Sequence, residues 1–333
     1  MNLTYLYLLS PLHTGGTSQE GNVVGIARET HTKLPYLPSS TIRGRLRASV
    51  GLDDFIRLQA LKEERNNARL SNQTERVEQL DADIGKVEET CIQSRIIKVQ
   101  LFGPELKDLQ DKEFIELYEL QTGYKLTQLE QGAIWIGDGS ILWFPVASLS
   151  HGVVWVSSPL LLQRWQRFCR PTASSVTEIP EYSSNLNQAI YLKDAQITGG
   201  QLKQWNDFAD YIPNGYDTSI ENVLVLPNQH CEILIQMSLW RQVKVKLNDH
   251  KVVTDGSFRY EEAIPSDSLM YFTWGTVRQT PNAKQAKQDF QDLLNQNSIL
   301  QLGGQESLGR GFVRQWNQER LPSKPTNDEE VAV

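Results

Sequence analysis

The sequence predicts an α+β protein in which short buried strands alternate with amphipathic helices. Three observations carry that expectation. Apolar runs too short for helices, such as residues 3–9 and 222–226, recur along the chain. Between them lie segments with helical spacing, of which residues 53–92 are highly charged and almost free of glycine and proline. A glycine-rich turn holding Gly303, Gly304, Gly309 and Gly311 joins two apolar runs in SILQLGGQESLGRGFVRQW.

At 333 residues the chain can hold one large domain or two smaller ones, with apolar content enough for a core. A net charge of −7 argues against a protein that clamps nucleic acid all round. The first fifty residues nevertheless carry five Lys or Arg against only Glu20 and Glu29, which is compatible with a local basic face on an acidic body. Cys91, Cys169 and Cys231 are far apart and away from clustered histidines, so neither a disulfide framework nor a zinc site is indicated. No run of eighteen apolar residues exists, and the expectation is a cytoplasmic protein that meets no membrane.

Taken in order, residues 3–9 read as a strand buried on both faces, and 10–38 as a loop too long to be an idle connection. That loop carries His13, Gly15 and Gly16, then Arg28. Pro35, Pro38 and Ser39-Ser40-Thr41 lead into a short basic helix over about 40–50, capped by Ser39 or Ser40. A helix start offers unpaired N–H groups to an anion, and Arg43 and Arg47 are four residues apart on one helix face. Glycines that let backbone approach a ligand, together with this helix start, suit a phosphodiester strand.

In residues 53–92, Val77, Leu80, Ile84, Val87 and Cys91 are spaced 3, 4, 3 and 4, which predicts a helical hairpin turning near Asn72. Residues 95–104 return to strand-like or short helical sequence, and 111–122 form a further helix. Residues 133–159 read as two or three close strands with a turn at Asp138-Gly139, their tryptophans in the core, followed by a helix over 160–169. Residues 170–220 are polar and weakly patterned. A strand at 222–226 is followed by a helix over 230–240 and a β-hairpin whose Lys244 and Lys246 form a basic edge, turning at Asn248-Asp249 or Asp255-Gly256. A strand at 269–274, a helix at 283–295 and the closing glycine turn complete the chain. In that turn Arg310 and backbone amides form a second place to meet phosphate. It fits neither GxxxxGK[ST] nor GxGxxG.

A chain that opens with SPLHTGG, continues through IARETHTKLPYLPSSTIRGRLR and closes with LQLGGQESLGRGFVR resembles the RAMP superfamily of CRISPR-associated proteins. Within it the chain is most similar to the repeated backbone subunit of type III-B effector complexes. LFGPE, DGSILWFPVASL, SSPLLLQRW and DGSFRYEEAIP fit the same pattern, so the resemblance covers most of the chain except the heptad segment and the tail. It implies a ferredoxin-like or RRM-like palm over 1–52 and 93–320, a hairpin thumb at about 241–262, a helical insertion at 53–92 and a disordered tail at 321–333. The implied partners are guide RNA, target RNA, copies of the chain and other effector subunits.

By position, Ser40, Thr41, Arg43 and Arg47 match the family's element on the guide backbone, with Ser39 where the family commonly has glycine. His13, Gly15 and Gly16 match its first loop, residues 303–311 its C-terminal glycine motif, and Arg241, Lys244 and Lys246 its thumb. The family aspartate that supports metal-dependent cleavage lies a few residues before the arginine aligned with Arg28, and that position is Val23 here. Valine neither holds a cation nor accepts a proton. Cleavage is therefore doubtful, and Mg2+ is expected only if Glu20, Glu29 or His13 substitutes. Two readings compete with a guide-binding backbone subunit: an active endoribonuclease using another carboxylate such as Glu20, and a protein that binds a small phosphorylated ligand through its two glycine loops.

Overall fold

The computed structural model describes the chain except residues 17–18, 21–22, 170–177, 216–217, 219, 246–247, 254–257, 278–281 and 318–333, together with the side chains of Gln19 and Glu20. The expected turn at Asp255-Gly256, Lys246 and the tail lie outside the described residues. The chain divides into two compact units. One holds Met1–Ile42, Ile136–Trp274 and Ser298–Val333, the other Arg43–Trp135 and Gly275–Asn297.

Strand β1 (Asn2–Leu8) leads through β2 (Gln19–Glu20) and β3 (Val23–Val24) to helix α1 (Ser39–Ser49). Helices α2 (Leu52–Leu70), α3 (Thr74–Phe102), α4 (Leu106–Gln110) and α5 (Lys112–Thr122) precede strands β4 (Ile134–Ile136), β5 (Ser140–Ser148) and β6 (Gly152–Ser157) and helix α6 (Pro159–Cys169). The polar stretch that follows forms short strands β7 (Ser183–Ser184), β8 (Ile190–Tyr191), β9 (Gln196–Ile197) and β10 (Lys203–Gln204), then β11 (Val223–Val225) and α7 (Asn228–Met237). The remaining described elements are β12 (Trp240–Lys244), β13 (Arg259–Ala263), β14 (Leu269–Thr276), α8 (Ala283–Gln296), β15 (Ile299–Gln301) and β16 (Phe312–Asn317).

In the first unit the main sheet runs β10-β7-β11-β6-β5-β14-β1-β16-β15. Strand β1 is paired antiparallel on both edges, with β14 and β16. Its unbroken apolar run follows from that position, since Tyr5, Leu6, Tyr7 and Leu8 are all buried. On one face Tyr5, Trp143, Trp165, Trp205, Tyr211 and Tyr271 form the core. Inside it the Trp165 Nε1 donates to the Tyr5 hydroxyl at 3.0 Å and the Trp143 Nε1 to the Tyr211 carbonyl at 2.9 Å. A second sheet, β12-β13-β3-β2, contains the predicted hairpin strands, with Arg241 opposite Glu262 and Val243 opposite Tyr260. The helix before it stops at Met237 rather than reaching Trp240. Trp240 instead begins β12, and the Arg310 guanidinium lies 4.4 Å from the centre of its ring.

In the second unit α2 and α3 form the predicted hairpin, reversing at Asn72 with φ 54° and sealed by Leu58, Ile84 and Val87. The segment after it, read as strand-like or short helical, continues α3 to Phe102. Ile96, Val99 and Phe102 sit three residues apart, and the first two pack on Phe114, Tyr118 and Leu126. That packing outweighs the strand preference of β-branched residues. Gly103, at φ 79°, ends the helix. Among the described residues no helix is long and apolar enough to cross a membrane.

Candidate nucleic-acid interface

The two glycine loops, far apart in sequence, are one structure. Leu12 pairs with Ile264 and His13 with Gly304, whose N–H donates to the His13 carbonyl at 2.8 Å. Three of the six glycines are explained by close backbone packing. A Cβ on Gly303 would overlap the His13 carbonyl and one on Gly311 the Leu302 carbonyl, both at positive φ, while one on Gly16 would lie 2.8 Å from the Gly25 oxygen. Gly15 and Gly309, with φ 64° and 71°, have nothing within 4 Å of an added Cβ. Of the predicted glycines, these two combine left-handed backbone with open space.

Four of the predicted cations meet two adjacent carboxylates on β13. Glu262, 7% exposed in its side chain, accepts from the Arg28 Nη2 at 2.6 Å and the Arg241 Nε at 3.1 Å. Glu261, 10% exposed, receives Lys244 at 2.7 Å and Arg310 at 3.2 Å. Consecutive strand residues point to opposite faces, so the two acids organise the two sides of the hairpin separately. Four cations over two carboxylates leave a net positive patch. The desolvation cost raises the carboxyl of Glu261, but Lys244, Gln305 and Arg310 outweigh it and hold the group below its ordinary value.

Arg310 differs from the sequence expectation. Its side chain is 5% exposed, stacked on Trp240 and bonded to Gln305, Gln242 and Glu261, so it stiffens the base of the hairpin from within. His13 is likewise buried, and its Nδ1 lies 2.8 Å from the Glu262 carbonyl, a partner that can only accept, so Nδ1 carries the proton. Both residues hold the loops together.

The start of α1 belongs to the same unit. Ala27 and Glu29 pair by backbone with Tyr36 and Leu34, and Arg28 bridges to Pro35, which places Ser39 four residues further on, at most about 14 Å of extended chain. Helix α1 begins at Ser39, and the Ser39 N–H donates to the Asp138 Oδ1 at 2.7 Å. A remote carboxylate, rather than a phosphate, thus meets the first amide, while Ser40 and Thr41 follow it in the opening turn.

Arg43 and Arg47 lie in the second unit, where their donors are engaged. Arg43 donates to the carbonyls of Ile134 at 3.1 Å and Phe102 at 2.8 Å. Arg47 donates to Phe102 at 3.1 Å and Gly103 at 2.7 Å and pairs with Glu105 at 2.9 Å. The end of α3 presents unpaired carbonyls and a negative pole, which a guanidinium fork matches. The sequence reading gave these arginines to RNA because spacing reveals which face they share but not what lies across from it.

Among the described catalytic candidates, Glu29 and His13 are engaged within the fold. Val23 is in β3, paired with Tyr260, and brings no oxygen ligand. Both oxygens of Glu29 are held, by Arg164 at 2.5 and 3.2 Å and by the Thr32 hydroxyl at 2.5 Å. Burial raises the Glu29 carboxyl, but Arg164 and Thr32 more than offset this and keep it below its usual range. The side chain of Glu20 lies outside the described residues. Among the described residues no group of three or more His, Cys, Asp or Glu could hold a metal ion.

Sequence reasoning missed Glu261, Glu262, Trp240 and Asp138. A search for RNA contacts looks for cations. The signal for the acids was the pair itself in RYEEA, facing Arg241 and Lys244 across a predicted hairpin.

The fold has relatives. The Cmr endoribonuclease Cmr4 of the CRISPR system of Pyrococcus furiosus is 25% identical over 339 residues, covering 94% of this chain and 94% of that protein. The crystal structure of oligomeric Cmr4 from Pyrococcus furiosus superposes with a TM-score of 0.58 at 21% identity, covering 96% and 97% of the two chains. A chain of the type III-B Cmr-beta complex bound to cognate target RNA gives 0.63 at 14% identity, over 95% and 96%. At these identities the structural likenesses establish the fold. The model of the RAMP superfamily matches residues 5–314, nearly the whole of the described chain, and this protein therefore belongs to the RAMP superfamily.

Proposed function

We propose that this chain is a backbone subunit of a type III-B CRISPR effector that holds guide RNA along its sugar-phosphate strand and positions a paired target RNA. It stacks with copies of itself and with other effector subunits, and a cytoplasmic location goes with that role. The observation that carries the reading is the joining of the His13 loop, the Gly304 turn and a net positive hairpin base around Glu261 and Glu262. Open glycine positions and cations fit the shape and charge of a backbone, while the guide itself reads sequence by pairing. We assign direct contact to Gly15, Gly309, Ser40, Thr41 and Lys244, with Arg28 and Arg241 supplying the surrounding positive field. His13, Gly303, Gly304, Gly311, Arg310, Arg43 and Arg47 hold the frame, and Lys246 remains a contact on the family resemblance. The match to Cmr4 along both chains favours this over a small phosphorylated ligand.

The test is to purify the native assembly and sequence the nucleic acid that accompanies it. A defined guide RNA is the expected result. An assembly free of RNA, together with no affinity at low salt, would sink the proposal.

We infer further that target cleavage is slow or absent, because Val23 has no oxygen and both oxygens of Glu29 are held. Assembled complex mixed with matched target RNA and Mg2+ is expected to leave the target intact. Regularly spaced products abolished by Glu20→Ala would instead assign the chemistry to Glu20.

A further inference from the structure

We propose that a cavity in the second unit binds a small organic cation of the polyamine class, in which alkyl segments join ammonium groups. The proposal is independent of guide binding, because a pocket that favours cations disfavours phosphate. The cavity has a volume of about 510 Å³ and lies between the end of α3, helix α5, the segment 124–133 and the first turns of α8. All of its lining residues belong to one unit, and its volume falls in the range of about 300–1,000 Å³ usual for small-ligand sites.

Backbone contacts fix the walls. The Ala133 N–H donates to the Gln100 carbonyl at 2.8 Å, and the Val277 N–H donates to the Ala133 carbonyl at 2.9 Å. Around this clasp the chain packs so closely that a Cβ on Gly103 would overlap the Glu130 carbonyl, and one on Gly132 the Leu101 carbonyl. A site held in this way is formed before its ligand arrives, which lowers the entropic cost of binding.

The lining combines two chemistries. Val99, Leu126 and Ala286 are buried and supply apolar surface. Tyr118 is buried and belongs both to the core of the unit and to the cavity wall, while Tyr124 adds a second ring that is 46% exposed. Glu130 and Asp289 bring two carboxylates against one cation, Lys125. Among the described residues neither acid is in an ion pair, and Asp289 accepts from the Gln285 Nε2 at 2.7 Å. Burial first, and the Glu130 carboxylate second, raise the Tyr118 hydroxyl above its ordinary value, so acid and ring stand close together. An ammonium group bonds to carboxylates and is attracted to aromatic rings, while the methylenes beside it cover apolar side chains. The same acids repel an anion.

The probe is spermidine, titrated calorimetrically into the full chain after nuclease treatment and a high-salt wash have removed RNA. One molecule per chain is expected. Glu130→Gln and Asp289→Asn should each weaken binding about tenfold, and Tyr124→Ala about threefold. Residues 53–92, with ten carboxylates against six Lys or Arg, are the main competing attraction for an amine. A Glu63→Gln/Glu75→Gln control therefore removes two exposed charges there and is expected to leave the affinity unchanged. Circular dichroism checks that every variant is folded. A wild type that does not bind, pocket variants that bind as tightly as wild type, or a control that weakens binding as much as they do would each overturn the proposal. So would displacement of spermidine by inorganic phosphate. Hydrogen exchange on the wild type needs no variant: spermidine should slow exchange in 124–133 and 283–289, and slowing confined to α2–α3 would place the amine on the hairpin and sink the assignment.

Discussion

Gly311 and Gly309 share a left-handed backbone, with φ of 79° and 71°, but differ in their neighbourhoods. Gly311→Ala would drive its Cβ into the Leu302 carbonyl and is expected to cost about 3 kcal/mol or more, whereas Gly309→Ala meets only the backbone cost of about 1 kcal/mol. Urea unfolding of the two variants measures the difference, and equal midpoints would show that the turn relaxes freely. Glu29 makes a pH prediction. Burial raises its carboxyl, but the bonds from Arg164 and Thr32 lower it further, so the folded value lies below the ordinary 4.5. A lowered folded value means that the contribution is full above the ordinary range and lost as pH falls through the folded value. Glu29→Gln should therefore be less stable than wild type at neutral pH, by roughly 2 kcal/mol, with the gap closing in acid. A gap independent of pH would exclude this ion pair as its source.

Among the elements, the helical hairpin was the most legible in sequence, because its heptad spacing and its Asn72 reversal are local properties. Its seam makes a prediction of its own. Ile84→Ala should destabilise α2 and α3 by about 2–4 kcal/mol, visible as faster hydrogen exchange in both helices while the main sheet keeps its protection. The end of α3 was less legible. Ile96, Ile97 and Val99 read as strand formers by propensity, and only the partners Phe114 and Tyr118 decide for helix. The strands of hairpin β12–β13 were legible, but Lys244 on its edge is held in an ion pair, because the role of Glu261 depends on which side chains face it across the strands.

For the whole molecule, a net charge of −7 and a proposed RNA-holding role are reconciled by segregation, with the acid excess on α2–α3 and a net positive base on β12–β13. This predicts steep salt dependence for RNA binding despite the acidic composition. Lys244→Ala should reduce the slope of log affinity against log salt by about 0.7, the value for one contact to a single-stranded backbone. Titrations at several salt concentrations measure this. A slope unchanged by the substitution would remove Lys244 from the RNA path.

Sequence by itself determined the class of fold, the order of most strands and helices, the helical excursion and the glycine loops, because each is written in local periodicity or in residues with special backbone freedom. The tertiary structure alone decided that His13 and Gly304 are joined, that Asp138 meets the start of α1, and that Arg43, Arg47 and Arg310 brace the frame. The reason is physical: a guanidinium bonds equally well to a phosphate, a carboxylate or the carbonyl end of a helix, and only the folded chain determines which of these lies within about 3 Å of it.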